Sequence, residues 1–390
     1  MARRISVAFS NMVNPDWLAG GQYLYNLLFA IKSSEMNIET VLRIFPETPK
    51  ENYQMLDGLL DRVLEVPHPL PCWVGRLPGV VKRRFSLVQY FEERELRQGG
   101  IDAQFLFADS GNTPSIPVAT WLPDFQHLHL PELFRAEDLA YRANFYPLAA
   151  RKSNAVVLSS QHAFDDLKRV APDTLPKARI LNFVAQIPAD VYQADSEAVA
   201  RLYHLPDKFF FLPNQFWRHK NHKIMIQAVK TAKKEIKDIT VVCSGGTHDF
   251  RSPSYFDALL TEIAVCGLQD NIRILGRVPR EHFWQLMRRS LAVLQPSLFE
   301  GWNTSVEEVK SLGKSIIVSD IPVHREQNPA SALYFDPRNP DELAQCLVKT
   351  YKAKMPGPEL ELEESARSQI RERTRVFAKT FYNIIVELAN

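Results

Sequence analysis

The stretch LAVLQPSLFEGWNTSVEEVKSLGKSIIVSD, Leu291–Asp320, decides how the rest of the chain is read. It opens on the apolar run LAVLQPS and closes on the apolar run SIIVS. Short continuous apolar runs of this kind read as buried strands of a parallel sheet. Between them the spacing predicts a helix over 305–312. Thr304-x-x-Glu307 matches a capping box, with Thr304 as N-cap and Glu307 reaching back to it. Gly313 stands where a helix-ending glycine belongs. The segment is thus a strand–loop–helix–strand unit carrying Glu300 on its loop and Glu307 and Glu308 on its helix. Glu308 is rotated roughly 100° from Glu307 by the helical period. The first turn of the helix offers free N–H groups and a positive dipole end, which suits a phosphate. Two acceptor-only carboxylates, Glu300 and Glu308, beside an anion site suit a hydroxyl-rich ligand that also carries phosphate, such as a nucleotide sugar. Spacing alone leaves a second reading open, in which all three glutamates are placed at a helix start by its dipole.

Working outward, the same alternation recurs. The runs FFFLPN, ITVVCSGG and NIRILG read as strands, and NHKIMIQAVKTAKKEIK, YFDALLTEIAVCG, REHFWQLMRRS and PDELAQCLVKTYKA as helices. Towards the N-terminus ISVAFSN, IETVLRIF, DRVLEVP, AQFLFA, PVATWLPD and NAVVLSS are further strand candidates. Strands alternating with helices predict an α/β protein with two Rossmann-like, doubly wound domains facing across a cleft. The expected division is 1–185, 186–365 and a final helix, 366–390, that packs back on the first domain. Its apolar face is Ile370, Val376, Phe377, Phe381, Ile384 and Ile385. Ligands of such sheets bind beyond the carboxyl ends of strands.

The bulk properties narrow the classes. With 390 residues the chain is long enough for two cores, and its formal net charge of +2 does not call for nucleic acid. The N-terminal apolar run is too short for a signal-peptide core, and no run approaches the ~20 residues of a membrane span. Cys72, Cys243, Cys266 and Cys346 are scattered, which argues against a zinc site or disulfide framework and for a reducing, cytoplasmic setting. The stretch 73–91 mixes Arg76, Lys82, Arg83 and Arg84 with aromatic residues. It reads as a solvated helix face or as a peripheral contact with an anionic inner-membrane surface.

PSLFEGWNTSVEEVKSLG, followed by SIIVSDIPVHRE, resembles the donor-site signature E-x7-E of family-4 retaining glycosyltransferases, with Glu300 and Glu308 at the required separation. The resemblance covers the second half well and the first half more loosely. It implies the GT-B fold and transfer of a hexose-type sugar from a nucleotide diphosphate sugar to a glycan, lipid-linked or small-molecule acceptor, with retained anomeric configuration. It also implies no metal and no cofactor, and a place in polysaccharide or glycoconjugate biosynthesis. By the same resemblance Glu308 holds ribose hydroxyls, and Glu300 holds sugar hydroxyls near the anomeric carbon. The loop Gly301, Trp302, Asn303, Thr304 and Ser305 faces phosphates or sugar. Asn214 opens a donor-side loop on which Lys220 matches the family's diphosphate-binding lysine. The family arginine falls on Gln215, so Arg218 is its candidate replacement, while His219 and His222 read as structural. Gly276, Arg277 and Val278 match a turn that cradles the base. Gly20 and Gly21 match a glycine loop facing donor and acceptor. Asp124 matches the aspartate of a His-Asp pair whose histidine is replaced by Pro123, which leaves His127 as the nearest substitute. Departures such as WNTS, Trp302–Ser305, bear on which sugar is used. Two rivals stay open: another nucleotide-sugar enzyme on this fold, such as an epimerase or phosphorylase, and a non-catalytic nucleotide-sugar-binding protein.

Overall fold

The structure is a computed structural model that describes residues 3–14, 18–66, 90–109 and 115–389. The basic stretch 73–91, apart from Tyr90 and Phe91, lies outside the described residues, as does Cys72. The chain divides into two compact units.

The first unit comprises Met1–Phe125, Ala140–Val184 and Glu372–Asn390. Its strands are β1 (Ile5–Ser10), β2 (Ile38–Ile44), β3 (Arg62–Glu65), β4 (Ala103–Phe107), β5 (Val118–Leu122), β6 (Ala155–Leu158) and β7 (Ala178–Ile180). They form one parallel sheet in the order β3-β2-β1-β4-β5-β6-β7. The helices are α1 (Leu18–Ser33), α2 (90–98), α4 (Ala136–Lys152) and α5 (Gln161–Val170). The short α3 (Gln126–His129) precedes α4 in the chain but groups with the second unit. Strands β1, β4, β5 and β6 are buried along nearly their whole length, which accounts for their unbroken apolar runs. Gly20 and Gly21 lie in the first turn of α1, the helix that follows β1.

The second unit is Gln126–Leu139 with Ala185–Arg371. It contains α6 (Ser196–Leu202), β8 (Phe210–Leu212), α7 (His222–Ala232), β9 (Val241–Cys243), α8 (Tyr255–Val265) and β10 (Ile272–Ile274). These are followed by α9 (Arg280–Arg289), β11 (Val293–Gln295), α10 (Thr304–Leu312), β12 (Ile316–Ser319), α11 (Pro322–Gln327), β13 (Ala332–Phe335) and α12 (Pro340–Ala353). The sheet is parallel throughout, in the order β10-β9-β8-β11-β12-β13. One face buries Phe210, Leu212, Val241 and Leu294 against α7, α8 and α12. The other buries Phe211, Val242, Val293 and Val318 against α9 and α10. Strand β13 escapes the sequence reading because it is a sheet edge, only half-buried along Ala332–Tyr334.

The last helix, α13 (Leu360–Ala389), begins in the second unit and ends in the first. Arg288 holds its start through Glu363 at 2.8 Å, with both side chains buried. Its end buries Phe377, Phe381, Ile384 and Ile385, and Phe381 stacks on Phe9 at 5.7 Å between ring centres. Val376 is exposed and does not belong to the apolar face assigned to it. Among the described residues no helix is long and apolar enough to cross a membrane.

Candidate active site

In the second unit the chain runs from β8 outward to β9 and β10, then returns to β11 and continues outward through β12 and β13. The strand order therefore reverses between β8 and β11. In open parallel sheets, the crevice beyond the carboxyl ends of two such strands is where ligands bind. The loops leaving this point are 213–221 and 296–303, and they are stitched together. Leu298 N–H donates to the His219 carbonyl at 2.8 Å. Asn221 Nδ2 donates to the Pro296 carbonyl at 3.1 Å, and Asn214 Nδ2 to Gln295 Oε1 at 2.9 Å. A short 3-10 turn, Arg218–Lys220, ends at Asn221, whose left-handed conformation (φ 58°) turns the chain into α7. The outcome is an ion pair across the two loops, Lys220 Nζ to Glu300 Oε1 at 2.7 Å.

The α10 start differs from the capping-box expectation. The N-cap is Asn303, whose Oδ1 accepts from Val306 N–H at 3.1 Å, and Thr304 is the first helical residue. Glu307 reaches sideways instead: its Oε1 lies 3.1 Å from Lys310 Nζ and 3.4 Å from Gln327 Nε2. Asn303 wins the cap because it is buried among groups that satisfy its other atoms. Its Nδ2 meets Gln295 Oε1 and His324 Nε2, both at 3.3 Å, and its carbonyl accepts from Gln327 Nε2 at 2.9 Å. A buried polar side chain needs such partners. Gly313 ends the helix in the left-handed conformation (φ 84°). A Cβ there would lie 2.3 Å from the Leu362 carbonyl oxygen, so the approach of α13 also requires glycine.

Glu308 meets a different cation, Arg280. Its carboxylate is almost fully buried and its Oε1 contacts Arg280 Nη2. Burial holds the Glu308 carboxyl above its ordinary value, and the Arg280 guanidinium offsets part of that rise. Arg280 opens α9 directly after the turn Gly276–Pro279. Gly276 (φ 69°) accepts from Gly245 N–H at 2.9 Å, and Gly245 itself lies against the Asn214 backbone. The guanidinium of Arg277 lies over Gly246, and Val278 packs on the core beside Phe283. Loop 275–280 is thus tied through Gly245 to the loop that carries Lys220.

Other sequence-assigned residues fall as follows. Gly301, Trp302, Thr304 and Ser305 are partly exposed at the α10 start, and Ser305 Oγ donates to the Pro213 carbonyl at 3.4 Å. Arg218 is exposed, and its N–H donates to Asp249 at 3.2 Å. His219 and His222 are buried. Desolvation drives His219 well below the ordinary range and His222 down to about 3. Asp124 is half-buried in the first unit, where its charge acts on Tyr146. His127 is buried on α3 of the second unit, edge-on to Phe134. Sequence reasoning missed Arg280, whose only signal is its place directly after the Gly276–Pro279 turn. It also missed Arg251, whose guanidinium meets Gln126 Oε1 at 2.8 Å and lies over Phe134 and Trp217. It missed His324 and Gln327 as the supports of the Asn303 cap.

Comparison with known proteins bears on this geometry. Residues 199–373 match the family described as glycosyl transferases group 1. The O-antigen chain mannosyltransferase RfbU of Salmonella typhimurium is 27% identical over 160 residues, covering 38% of this chain and 43% of that protein. The alignment thus spans less than half the length of that relative. A glycosyltransferase from Rickettsia africae superposes with a TM-score of 0.72 at 15% identity, covering 99% of this chain and 98% of that one. Anabaena Alr3699/HepE, solved in complex with UDP and glucose, superposes with a TM-score of 0.61 at 15% identity over 99% and 97% of the two chains. The chain has the GT-B fold of glycosyltransferases, and the half of it that carries Lys220, Glu300 and Glu308 is the half that matches glycosyl transferases group 1.

Proposed function

We propose that this protein transfers a hexose-type sugar from a nucleotide diphosphate sugar to a glycan, lipid-linked or small-molecule acceptor, with retention of anomeric configuration. The observation that carries this reading is the Lys220–Glu300 pair at the point of strand-order reversal, beside the N-terminus of α10. Departure of a nucleoside diphosphate builds negative charge on its phosphate. The Lys220 ammonium and the first N–H groups of α10 are preorganised to offset that charge. Glu300, an acceptor-only group, takes hydrogen bonds from hydroxyls of the sugar. Donor binding exchanges the Lys220–Glu300 contact for phosphate on one side and hydroxyls on the other, so neither charge is left without a partner. Glu308 then takes the ribose hydroxyls, and the turn Gly276–Val278 the base. The acceptor hydroxyl enters on the face the diphosphate leaves, which retains configuration.

The relatives support the class of donor: HepE is solved with UDP and glucose, and RfbU is named as a mannosyltransferase acting on O-antigen chains. The experiment has two stages. A thermal-shift panel of nucleotide diphosphate sugars identifies the donor, because a ligand bound to the folded state raises Tm by mass action. The linkage formed with that donor is then read by NMR. An inverted anomeric centre overturns retention. Product formed from donor without acceptor favours an epimerase, strict dependence on free phosphate a phosphorylase, and binding without turnover a non-catalytic protein.

A further inference from the structure

Glu308 is more deeply buried than Glu300, and Arg280 is the cation in contact with it. Arg280 itself is two-fifths exposed, with its guanidinium carbon 4.1 Å from the Trp284 ring centre and 4.6 Å from that of Phe283. The arginine is therefore held on two sides, by the carboxylate and by the faces of two aromatic rings one turn into its own helix. A guanidinium on an aromatic face keeps its plane fixed, which a lysine cannot reproduce. Trp284 is fully buried and fixed in the core, so the platform is rigid.

We propose that Arg280 is a positioning residue for the nucleoside end of the donor: stacked on Trp284, it holds the Glu308 carboxylate ionised and oriented to accept ribose hydroxyls. This rests on the reading of Glu308 given above. A carboxylate enclosed as Glu308 is would take up a proton without a neighbouring cation, and a protonated carboxyl is a poorer acceptor for two hydroxyls. The placement also explains why Arg280 follows the Gly276–Pro279 turn without a spacer: that turn delivers the base-cradling backbone and the cation for Glu308 from one loop.

The test uses the full chain, with nucleoside diphosphate binding measured by calorimetry from pH 5.5 to 8.5 for wild type, Arg280→Gln, Arg280→Lys and Glu308→Gln. The probe is UDP, together with the nucleoside diphosphate of whichever donor the panel identifies. Expected is a loss of affinity of about tenfold or more in Arg280→Gln, the scale of one lost charge-assisted contact. The loss grows as pH falls, because the Glu308 carboxyl protonates at higher pH once the cation is gone. Arg280→Lys recovers affinity only in part, and in Glu308→Gln the pH dependence disappears. In turnover the variant shows a raised donor KM with kcat within about twofold, as expected for uniform binding. Wild-type affinity and pH profile in a folded Arg280→Gln overturn the proposal. A pH-independent loss in Arg280→Gln also overturns it, since simple damage to packing has no titration. Failure of wild type to bind any nucleoside diphosphate would instead refute the donor-site reading itself.

Discussion

Lys220 Nζ and Glu300 Oε1 lie 2.7 Å apart, although eighty residues of sequence and three strands of the sheet separate their positions in the chain. Both side chains are mostly shielded, at 17% and 9% exposure, so the pair is stronger than a surface ion pair and each member depends on the other. If the pair opens to receive the donor, Lys220→Ala and Glu300→Gln each lower kcat by about a hundredfold or more, the scale of removing one group that stabilises developing charge. Steady-state kinetics with the identified donor checks this, and circular dichroism shows that both variants fold.

Glu307→Gln gives the opposite pattern. Its carboxylate pairs with Lys310 and Gln327 inside the fold. Its loss costs about 1–3 kcal/mol of stability, as for a buried charge-assisted contact, and leaves kcat within a few-fold of wild type. Urea denaturation and initial rates separate the two effects. Equal catalytic losses at Glu300, Glu307 and Glu308 would contradict this division of labour.

Asn303→Ala removes a cap whose side chain also ties α10 to Gln295 and His324, while the backbone contacts with Gln327 remain. The cap alone is worth about 1 kcal/mol. Because the α10 N-terminus moves when its cap is lost, donor KM rises together with the drop in Tm. Asn303→Asp keeps the cap oxygen but loses the Nδ2 contacts, and it recovers stability only in part.

Acid pH weakens the second unit in a defined window. His222 is held down to about 3 by burial against Phe216, and His324 down to about 4. Both stay neutral in the fold, while in the unfolded chain they take up protons near pH 6.5. The unfolded state binds more protons between these values, so stability is full above about pH 6.5 and is lost as pH falls towards 4. From pH 7 to pH 5 each histidine contributes a loss of about 2 kcal/mol. Melting curves across that range check the sign, and His222→Phe, which keeps the stacked ring without its nitrogens, flattens the dependence.

Gly313→Ala is expected to be among the most damaging single-methyl changes. The left-handed backbone costs an alanine about 1–2 kcal/mol, and the new Cβ collides with the Leu362 carbonyl, so the start of α13 must shift. Denaturant unfolding measures the loss.

How much of this was legible in the sequence follows from range. The alternation of buried runs and amphipathic helices, and Gly313 as the helix stop, were readable because each is fixed by residues close in sequence. The E-x7-E spacing likewise put Glu300 on a loop and Glu308 on a helix. Edge strand β13 was not readable, because an edge is half-solvated and loses the apolar signature. The choice of Asn303 over Thr304 as N-cap was not readable either. Both residues cap well locally, and the decision came from Gln295, His324 and Gln327, which arrive from β11 and α11.

The sequence by itself determined the two parallel α/β sheets and the three glutamates' positions along one strand–loop–helix segment. Only the tertiary structure decided which distant residue each glutamate meets: Lys220 for Glu300, Gln327 for Glu307, Arg280 for Glu308. Helical period and loop length fix where a carboxylate points, but its partner is set by strand order. It is the reversal between β8 and β11 that brings the loop bearing Lys220 beside the loop bearing Glu300.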